Sequence, residues 1–185
     1  MPTSPKIPKE FILEHALQML IRDGYAAVNI KALAEDIGCS TQPISWHFGS
    51  MEGLRDALTE YALDYAEKRM RSPSDSKAEL SCIGAGYISL AFDLPHLFRY
   101  LYMSGDGGSR IPDIMGSAET DKDAYALIAA KMGIPPRRVG EFLRSCMIYA
   151  HGLACFIVSG RLSASRKEVS DMMNRAEQGF RAVYS

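Results

Sequence analysis

Hydrophobic positions recur every three or four residues along most of the chain, the spacing of helices that bury one face. Gly and Pro interrupt this pattern, and no stretch of any length alternates between apolar and polar residues as a half-buried strand would. The pattern therefore predicts an all-α fold. The predicted helices cover residues 8–23, 30–37, 41–48, 51–70, 77–92, 95–103, 119–132, 137–159 and a last segment that follows Ser165.

Local signals predict where several of these helices begin and end. Asn29 and Ser40 are typical N-caps, and Gly24 and Gly38 are typical C-terminal caps. Residues 165–168 have the sequence of a capping box, with Ser first and Glu fourth.

Each amphipathic helix also predicts a buried face. The expected buried positions are Ile12, Ala16, Met19 and Leu20 in the first helix, Leu54, Leu58, Tyr61 and Tyr65 in the fourth, and Val169, Met173, Ala176, Phe180 and Val183 in the last. The helix at 137–159 has two apolar faces, so both are expected to be covered. Gly152, in its middle, costs about 1 kcal/mol relative to Ala, so we expect close helix packing there.

The polar segment 72–76 is typical of a linker and marks a domain boundary, and Gly49-Ser50 separates the first helices from the long fourth one. Residues 1–50 are predicted to form a helix-turn-helix domain, 51–71 a connecting helix, and 72–185 a helical domain for ligand binding and dimerisation.

Composition narrows the class of protein. The chain has 185 residues, 47% of them hydrophobic, enough for a core. No run approaches the roughly 18 uncharged apolar residues of a membrane span, and the N-terminus lacks the apolar block of a signal peptide, so we expect a cytoplasmic protein with no membrane association. The four cysteines are scattered without metal-ligand spacing, so no metal is expected and core thiols are favoured over a redox sensor.

Residues 33–48 carry the most specific pattern. Two short helical segments meet at a glycine turn, and the second ends in Trp46-His47-Phe48. This is the form of a helix-turn-helix, whose second helix enters the DNA major groove. Charge opposes that interpretation, because residues 1–71 hold eight cations against ten anions, a net charge of −2, whereas DNA-binding domains usually carry a basic face.

The segment 8–58 resembles the tetracycline-repressor (TetR) family of bacterial transcriptional regulators. The resemblance rests on Gly24-Tyr25, Leu33-Ala34, Ile37-Gly38-Cys39-Ser40, Trp46-His47-Phe48 and Glu52-Gly53-Leu54. A second resemblance, carried by residues 149–154 and 95–99, is to a C-terminal domain type of that family named for a Trp-His-Gly motif. Here Met147 or Tyr149 stands where its Trp is expected.

The resemblance implies a homodimer, paired through its last two helices, that represses transcription until a small-molecule effector binds. It places at double-stranded operator DNA the residues Lys31, Thr41, Gln42, Pro43, Ser45, Trp46 and His47. Gln42 is suited to pair with adenine, and Trp46 and His47 to contact phosphate. The alternatives to DNA contact are a position in the protein core for Trp46 and a surface position without a function for His47.

Two departures from the family pattern affect the DNA contacts. Ser45 replaces a usual Tyr, and Met51 replaces a usual phosphate-binding Lys. A helical small-molecule-binding dimer, whose DNA-binding head is weakened or repurposed, is therefore the alternative function.

The later helices carry aromatic, Met and His side chains, most of which are apolar and a few of which end in a polar group. A small-molecule pocket needs this combination, although ordinary packing between helices explains each residue taken singly. The candidates are Tyr87, Phe98, Tyr102, Met103, Tyr125, Met147, Tyr149, His151 and Phe156. For His151 the alternatives are a satisfied core histidine and a ligand anchor. No catalytic or cofactor constellation occurs, so we expect neither an enzyme nor a cofactor.

Overall fold

The computed structural model describes residues 7–71, 84–104, 126 and 129–185, and every regular element in these ranges is helical. The α-helices with defined bounds are α1 (Lys9–Asp23), α2 (Ile30–Ile37), α3 (Gln42–Phe48), α4 (Met51–Arg71), α5 (Ala85–Asp93), α6 (Pro95–Tyr102), α7 (Val139–Val158) and α8 (Arg166–Tyr184). Short 3₁₀ turns lie at Tyr25–Ala27 and Pro136–Arg138. The all-α prediction is confirmed. The predicted linker at 72–76 and most of the helix predicted at 119–132 lie outside the described residues.

Contacts among the described residues define two compact units. Unit 1 contains the described residues up to Arg69 and those within 94–110, and unit 2 contains those within 70–93 and 111–185. Helix α6 belongs to unit 1 because it packs against α1.

In unit 1, the first three helices pack against one another around a small apolar core. The predicted face of α1 is confirmed, since Ile12, Ala16, Met19 and Leu20 are all buried. The face predicted for α4 is wrong in its second half. After Leu54 and Leu58 the buried apolar positions are Ala62 and Ala66, whereas Tyr61 and Tyr65 are only half-buried. Ala62 and Ala66 are small enough for another part of the chain to pack closely against α4. The phenol groups of Tyr61 and Tyr65 favour a partly solvated position, where the ring is covered and the hydroxyl meets water.

Helix α6 is held in unit 1 by a buried polar contact. Thr59 and Tyr100 are both buried, and their hydroxyl oxygens lie 2.7 Å apart. The carbonyl oxygen of Arg55 lies 2.9 Å from the Thr59 hydroxyl and 3.5 Å from that of Tyr100, so one hydroxyl donates to the carbonyl and the other donates within the pair. The Tyr100 ring also lies 4.7 Å from that of Tyr25, centroid to centroid. A buried hydroxyl pair satisfied in this way costs little to desolvate.

In unit 2, α7 packs against α5 on one side and α8 on the other. One cluster joins Ile88 of α5 to Ala150 and Leu153 of α7 and to Val169 and Met173 of α8. The second apolar face predicted for α7 is covered only in part, because Phe142 is fully buried but Tyr149 and Phe156 are exposed. The face predicted for α8 also fails at its end, where Val183 is 64% exposed.

In unit 2, an ion pair joins the end of α5 to the start of α8. Arg166, the first residue of α8, binds Asp93, the last residue of α5, and both side chains are only 19% exposed. The same guanidinium lies 4.6 Å from the centre of the Phe92 ring. This pair fixes the start of α8 against the end of α5.

The predicted helix caps are confirmed with one exception. The Asn29 side chain accepts from the Ala32 amide at 2.9 Å, and both hydrogen bonds of the Ser165–Glu168 capping box are present. Ser40 is not an N-cap, because α3 starts one residue later than predicted, and Thr41 precedes it in a helical conformation without a side-chain cap. Pro43 in the first turn of α3 has no amide hydrogen, so one fewer backbone donor is left without a partner at this end.

One apolar segment of the described residues, Pro136–Val158, is long enough to cross a membrane by length and composition, with a mean hydropathy of 1.3. This is weak evidence for a span, because core helices of soluble proteins meet the same criterion. Its uncharged part is short, since Arg144 and Arg161 enclose 16 residues. The packing of α7 between α5 and α8 accounts for much of its apolar character.

Candidate nucleic-acid interface

The helix-turn-helix is formed by α2 and α3 in unit 1. Gly38 ends α2 in the left-handed conformation (φ 77°), which places the chain for α3 and which non-glycine residues rarely adopt. The Cys39 amide donates to the Ala34 carbonyl at 2.9 Å, as at a Schellman end. Ile44 and Phe48, one turn apart, are buried and anchor α3 against the core. Phe48 is therefore a core residue.

The opposite face of α3 is exposed. Gln42, Ser45 and Trp46 lie on this face at helical spacing, and Thr41 precedes them at the N-terminal end, also exposed. Trp46 is 71% exposed, the most exposed large hydrophobic side chain described. A core role for Trp46 within this chain is excluded by that exposure.

His47 lies at the border of the exposed face and is half-buried. Its Nε2 lies 2.9 Å from the carbonyl oxygen of Ile7, so Nε2 carries the proton and donates. This bond ties the segment before α1 to α3. The ring nitrogen left facing away from Ile7 is Nδ1.

The remaining predicted DNA-contacting positions flank α3. Lys31, in the first turn of α2, is exposed, and Pro43 is half-buried in the first turn of α3. Met51, where the family pattern has Lys, is half-buried at the start of α4.

Gly53 positions α3 in a way that sequence analysis missed. A Cβ at this position would overlap the carbonyl oxygen of Phe48, the last residue of α3. The Ser50 side chain accepts from the Gly53 amide at 3.1 Å and caps the same turn. Gly at this point of α4 therefore permits the tight turn from α3 to α4. The available signal was a Gly in the first turn of an otherwise regular helix.

Ion pairs occupy several charges of unit 1 outside α3. Asp36 lies 2.9 Å from His15 Nδ1 and 3.7 Å from Arg22. Arg22 also bonds Asp23, and this hydrogen bond lowers the pKa of the Asp23 carboxyl. Asp23 and Asp36 are thus paired within the unit, and the net charge of −2 in residues 1–71 is unchanged by these pairs.

The residues predicted to line a ligand cavity are divided between the units. Phe98, Tyr102 and Met103 belong to unit 1, Tyr87, Met147, Tyr149, His151 and Phe156 belong to unit 2, and Tyr125 lies outside the described residues. Tyr87, Phe98 and Tyr102 are buried, whereas Met103, Tyr149 and Phe156 are exposed. Burial raises the pKa of Tyr102 to about 12, so its hydroxyl stays protonated.

Each unit has a cleft among its described residues. The cleft of unit 1, about 490 Å³, is lined by Asp23, Gly24, Tyr25, Ala26, His96, Arg99, Tyr100 and Ser104. That of unit 2, about 230 Å³, is lined by Met132, Phe142, Asn174, Glu177, Gln178 and Arg181. Neither cleft is lined by a residue that was predicted to bind the ligand. The predicted ligand site therefore stays a prediction.

Comparison with known proteins gives two matches. The family model of bacterial regulatory proteins of the tetR family matches residues 12–58. The crystal structure of Mycobacterium smegmatis BioQ matches with a TM-score of 0.53 and 17% sequence identity, over 95% of this chain and 98% of that chain. At this identity the structural match shows the fold alone. No curated protein matches the sequence.

The matched segment coincides with α1 to the first two turns of α4, the part that presents the exposed face of α3. The family match and the exposed face of α3 together identify residues 12–58 as a DNA-binding helix-turn-helix domain of the kind found in transcriptional regulators. This segment is similar to the N-terminal domain of bacterial regulatory proteins of the tetR family.

Proposed function

We propose that the protein is a cytoplasmic, ligand-responsive dimeric repressor that binds operator DNA through α3 and is released by a small-molecule effector. The observation that carries the proposal is the outward face of α3, where Gln42, Ser45 and Trp46 are exposed while Ile44 and Phe48 hold the helix from behind. The functional division is a DNA-binding head at 1–50, a connecting helix at 51–71 and a regulatory domain at 72–185.

Each exposed side chain has a distinct role at DNA. Gln42, at the start of α3, reaches base edges and pairs bidentately with adenine. Trp46, His47 and Lys31 contact the phosphate backbone and so fix the register of the head on the duplex. Thr41, Pro43 and Ser45 complete the surface that enters the groove.

Dimerisation through α7 and α8 is supported by apolar side chains that the protomer leaves uncovered. Ile148, Tyr149 and Phe156 of α7 are 56%, 37% and 51% exposed, and Val183 of α8 is 64% exposed. Ile148, Gly152 and Phe156 follow one another at four-residue spacing, so they form one ridge. An exposed apolar ridge of this kind is typical of a protein–protein interface. The dimer would present its two α3 helices about 34–36 Å apart to successive major grooves.

The effector is proposed to bind the regulatory domain. Tyr87 and His151 support this site, because a phenol and an imidazole meet at 2.8 Å among apolar side chains of unit 2. Such a combination of apolar surface and few polar groups is what a small-molecule site offers.

The DNA-binding role is tested by fluorescence anisotropy with the DNA that flanks the protein's own gene. Gln42→Ala should reduce the preference for operator over scrambled DNA by about 10- to 100-fold, since a bidentate base contact is worth about 1–3 kcal/mol. His47→Ala should instead weaken binding to every sequence alike. Gln18→Ala, at an exposed position of α1 away from α3, is the matched control and should change nothing. Unchanged binding by both α3 variants would show that the interface is assigned wrongly.

The alternative function, a small-molecule-binding dimer with a weakened head, is favoured by Ser45, Met51 and the net charge of −2 in residues 1–71. Binding should then be undetectable even at low salt, where phosphate contacts are strongest. A folded dimer that shifts no flanking DNA under these conditions would favour the alternative.

A further inference from the structure

Several cations of unit 1 are held by neighbouring carboxylates. Those held in this way, each with its partner, are Arg22 with Asp23, Arg55 with Glu52 and Lys68 with Asp64. Lys9 and Lys31 are exposed, and within the described part of the chain neither belongs to an ion pair. Lys31 already has a place in the proposed DNA interface. Lys9 is therefore an unpaired cation to which no role has been assigned.

Lys9 lies beside the last turn of α3. Its Nζ is 5.7 Å from the centre of the Phe48 ring, while the residue itself stays exposed to solvent. Two residues earlier, the carbonyl oxygen of Ile7 accepts a hydrogen bond from Nε2 of His47 at 2.9 Å. These two contacts hold the first turn of α1 against the C-terminal end of α3.

The first turn of α1 is outside the core of unit 1. Pro8, Lys9 and Glu10 are exposed, and the buried face of α1 begins at Ile12. Glu10, the acidic residue of this turn, is rotated from Lys9 by about 100° around the helix, so the two side chains leave the helix in different directions. The turn thus flanks α3 at the border marked by His47, next to the exposed face of α3.

The width of the major groove decides what a group beside α3 can reach. A helix with its side chains is about 10–12 Å across and the major groove is about 12 Å wide, so a recognition helix nearly fills the groove. A group that flanks such a helix then lies near the groove edge, where the phosphates are. The ammonium of a lysine binds a phosphate oxygen as a point charge.

We infer that Lys9 binds a backbone phosphate at the edge of the major groove and supplies the cation that Met51 does not. The inference rests on the proposed function, because it adds a residue to the DNA interface of α3. A phosphate contact carries no sequence information, but it fixes the position of the head on the duplex. In a symmetric dimer the two copies of Lys9 neutralise two phosphates, one at each half-site.

This contact has a signature in the salt dependence of DNA binding. Each phosphate that a protein neutralises on B-DNA releases counterions and makes the slope of log affinity against log salt concentration more negative by about 0.9. Two Lys9 side chains in a dimer therefore contribute about 1.8 to the slope. Between 50 and 200 mM salt, the wild type should lose about tenfold more affinity than a variant that lacks this charge.

The experiment measures fluorescence anisotropy of the full chain with two duplexes, the DNA that flanks the protein's own gene and a scrambled duplex of the same length. Lys9→Gln should weaken binding to both duplexes alike, at least about tenfold at 50 mM salt, and reduce the slope by about 1.8. Lys9→Arg keeps the charge and should restore the slope of the wild type.

Lys68→Gln is the matched control, because it removes the same charge from an exposed position of α4. Lys68 lies about 25 Å along the helix from Met51, more than twice the Debye length of about 10 Å at 0.1 M salt. This variant should keep the slope of the wild type. Circular dichroism confirms that each variant is folded. A purely structural role for Lys9 beside Phe48 would lower the affinity without changing the slope.

The possible results separate this contact from the proposed function. If the wild type binds DNA and Lys9→Gln shows the same slope, Lys9 does not bind phosphate and the proposed function stands. An equal loss of slope in Lys68→Gln would also overturn the contact, since the net charge alone would then explain the effect. A folded wild-type dimer that binds neither duplex at 50 mM salt would refute the proposed function and the contact together.

Discussion

Gly152 lies in the middle of α7, and among the described residues an added Cβ there meets no heavy atom within 4 Å outside its own stretch of helix. The close packing expected from the sequence is therefore absent within the part of the protomer that the structure describes. Gly in a helix interior costs about 1 kcal/mol relative to Ala, and nothing in the described part of unit 2 requires it. The space above Gly152 is the space that a second copy of the chain would occupy in the proposed dimer.

Two substitutions at this position separate the protomer from the dimer. Gly152→Ala should raise the free energy of unfolding of the monomer by about 1 kcal/mol, a shift in Tm of about 2–4 °C for a chain of this size. Gly152→Leu should stabilise the monomer similarly, because Leu is also a good helix former, but its bulk should weaken dimerisation at least about 100-fold, or about 2.7 kcal/mol.

Urea denaturation, at a protein concentration too low for dimerisation, measures the free energy of unfolding of the monomer. Analytical ultracentrifugation measures the affinity of dimerisation. Gln18→Leu adds the same side chain to an exposed position of α1 and controls for non-specific association. Gly53→Ala is the opposite case, since its Cβ overlaps the Phe48 carbonyl, and it should destabilise by about 1–3 kcal/mol.

Either of two results would refute this reasoning. A monomer destabilised by Gly152→Ala would mean that the space is not open in the protomer. A Gly152→Leu variant that dimerises as tightly as the wild type would mean that this ridge is not the interface.

Three further predictions concern stability, each measured by urea denaturation. Ser165→Ala removes the cap of α8 and should lower the free energy of unfolding by about 1 kcal/mol. The capping hydrogen bonds lower the pKa of Glu168, so their stabilisation is present above the ordinary glutamate pKa of 4.5 and is lost as the pH falls through the folded pKa. The variant should therefore lose part of this acid dependence. Asp93→Asn leaves the Arg166 guanidinium without its carboxylate at a mostly buried site and should cost about 3 kcal/mol, whereas a loss below about 0.5 kcal/mol would mean that the pair behaves as a surface ion pair. Thr59→Val keeps the shape but leaves the buried hydroxyl of its tyrosine partner with one acceptor fewer, and should cost about 1–2 kcal/mol; an unchanged midpoint would contradict this.

Interactions between near neighbours in the chain were the most predictable. The cap at Asn29, the capping box at Ser165 and the buried face of α1 were correct, because each depends on residues within a turn or two of one another. The position of the helix-turn-helix followed from the same kind of signal. The start of α3 was misplaced by one residue, because cap preference favours Ser40 whereas the helix begins after Thr41 without a side-chain cap.

Contacts between distant residues were beyond the reach of the pattern. Helical spacing showed that α7 has two apolar faces, but not that Phe142 would be buried while Phe156 stays exposed. His151 was a candidate in isolation, and its partners could not be named, since Tyr87 is 64 residues away. The role of Gly53 depends on the direction in which α4 leaves α3, which no local propensity encodes.

The sequence by itself determined most of the helices, most of their caps and the location of the helix-turn-helix, because backbone hydrogen bonds and side-chain periodicity act over a few residues. Only the tertiary structure decided which apolar faces are covered, which glycines have room and which side chains meet. Those outcomes depend on the close packing of side chains from separate helices, where volume and direction matter as much as hydrophobicity.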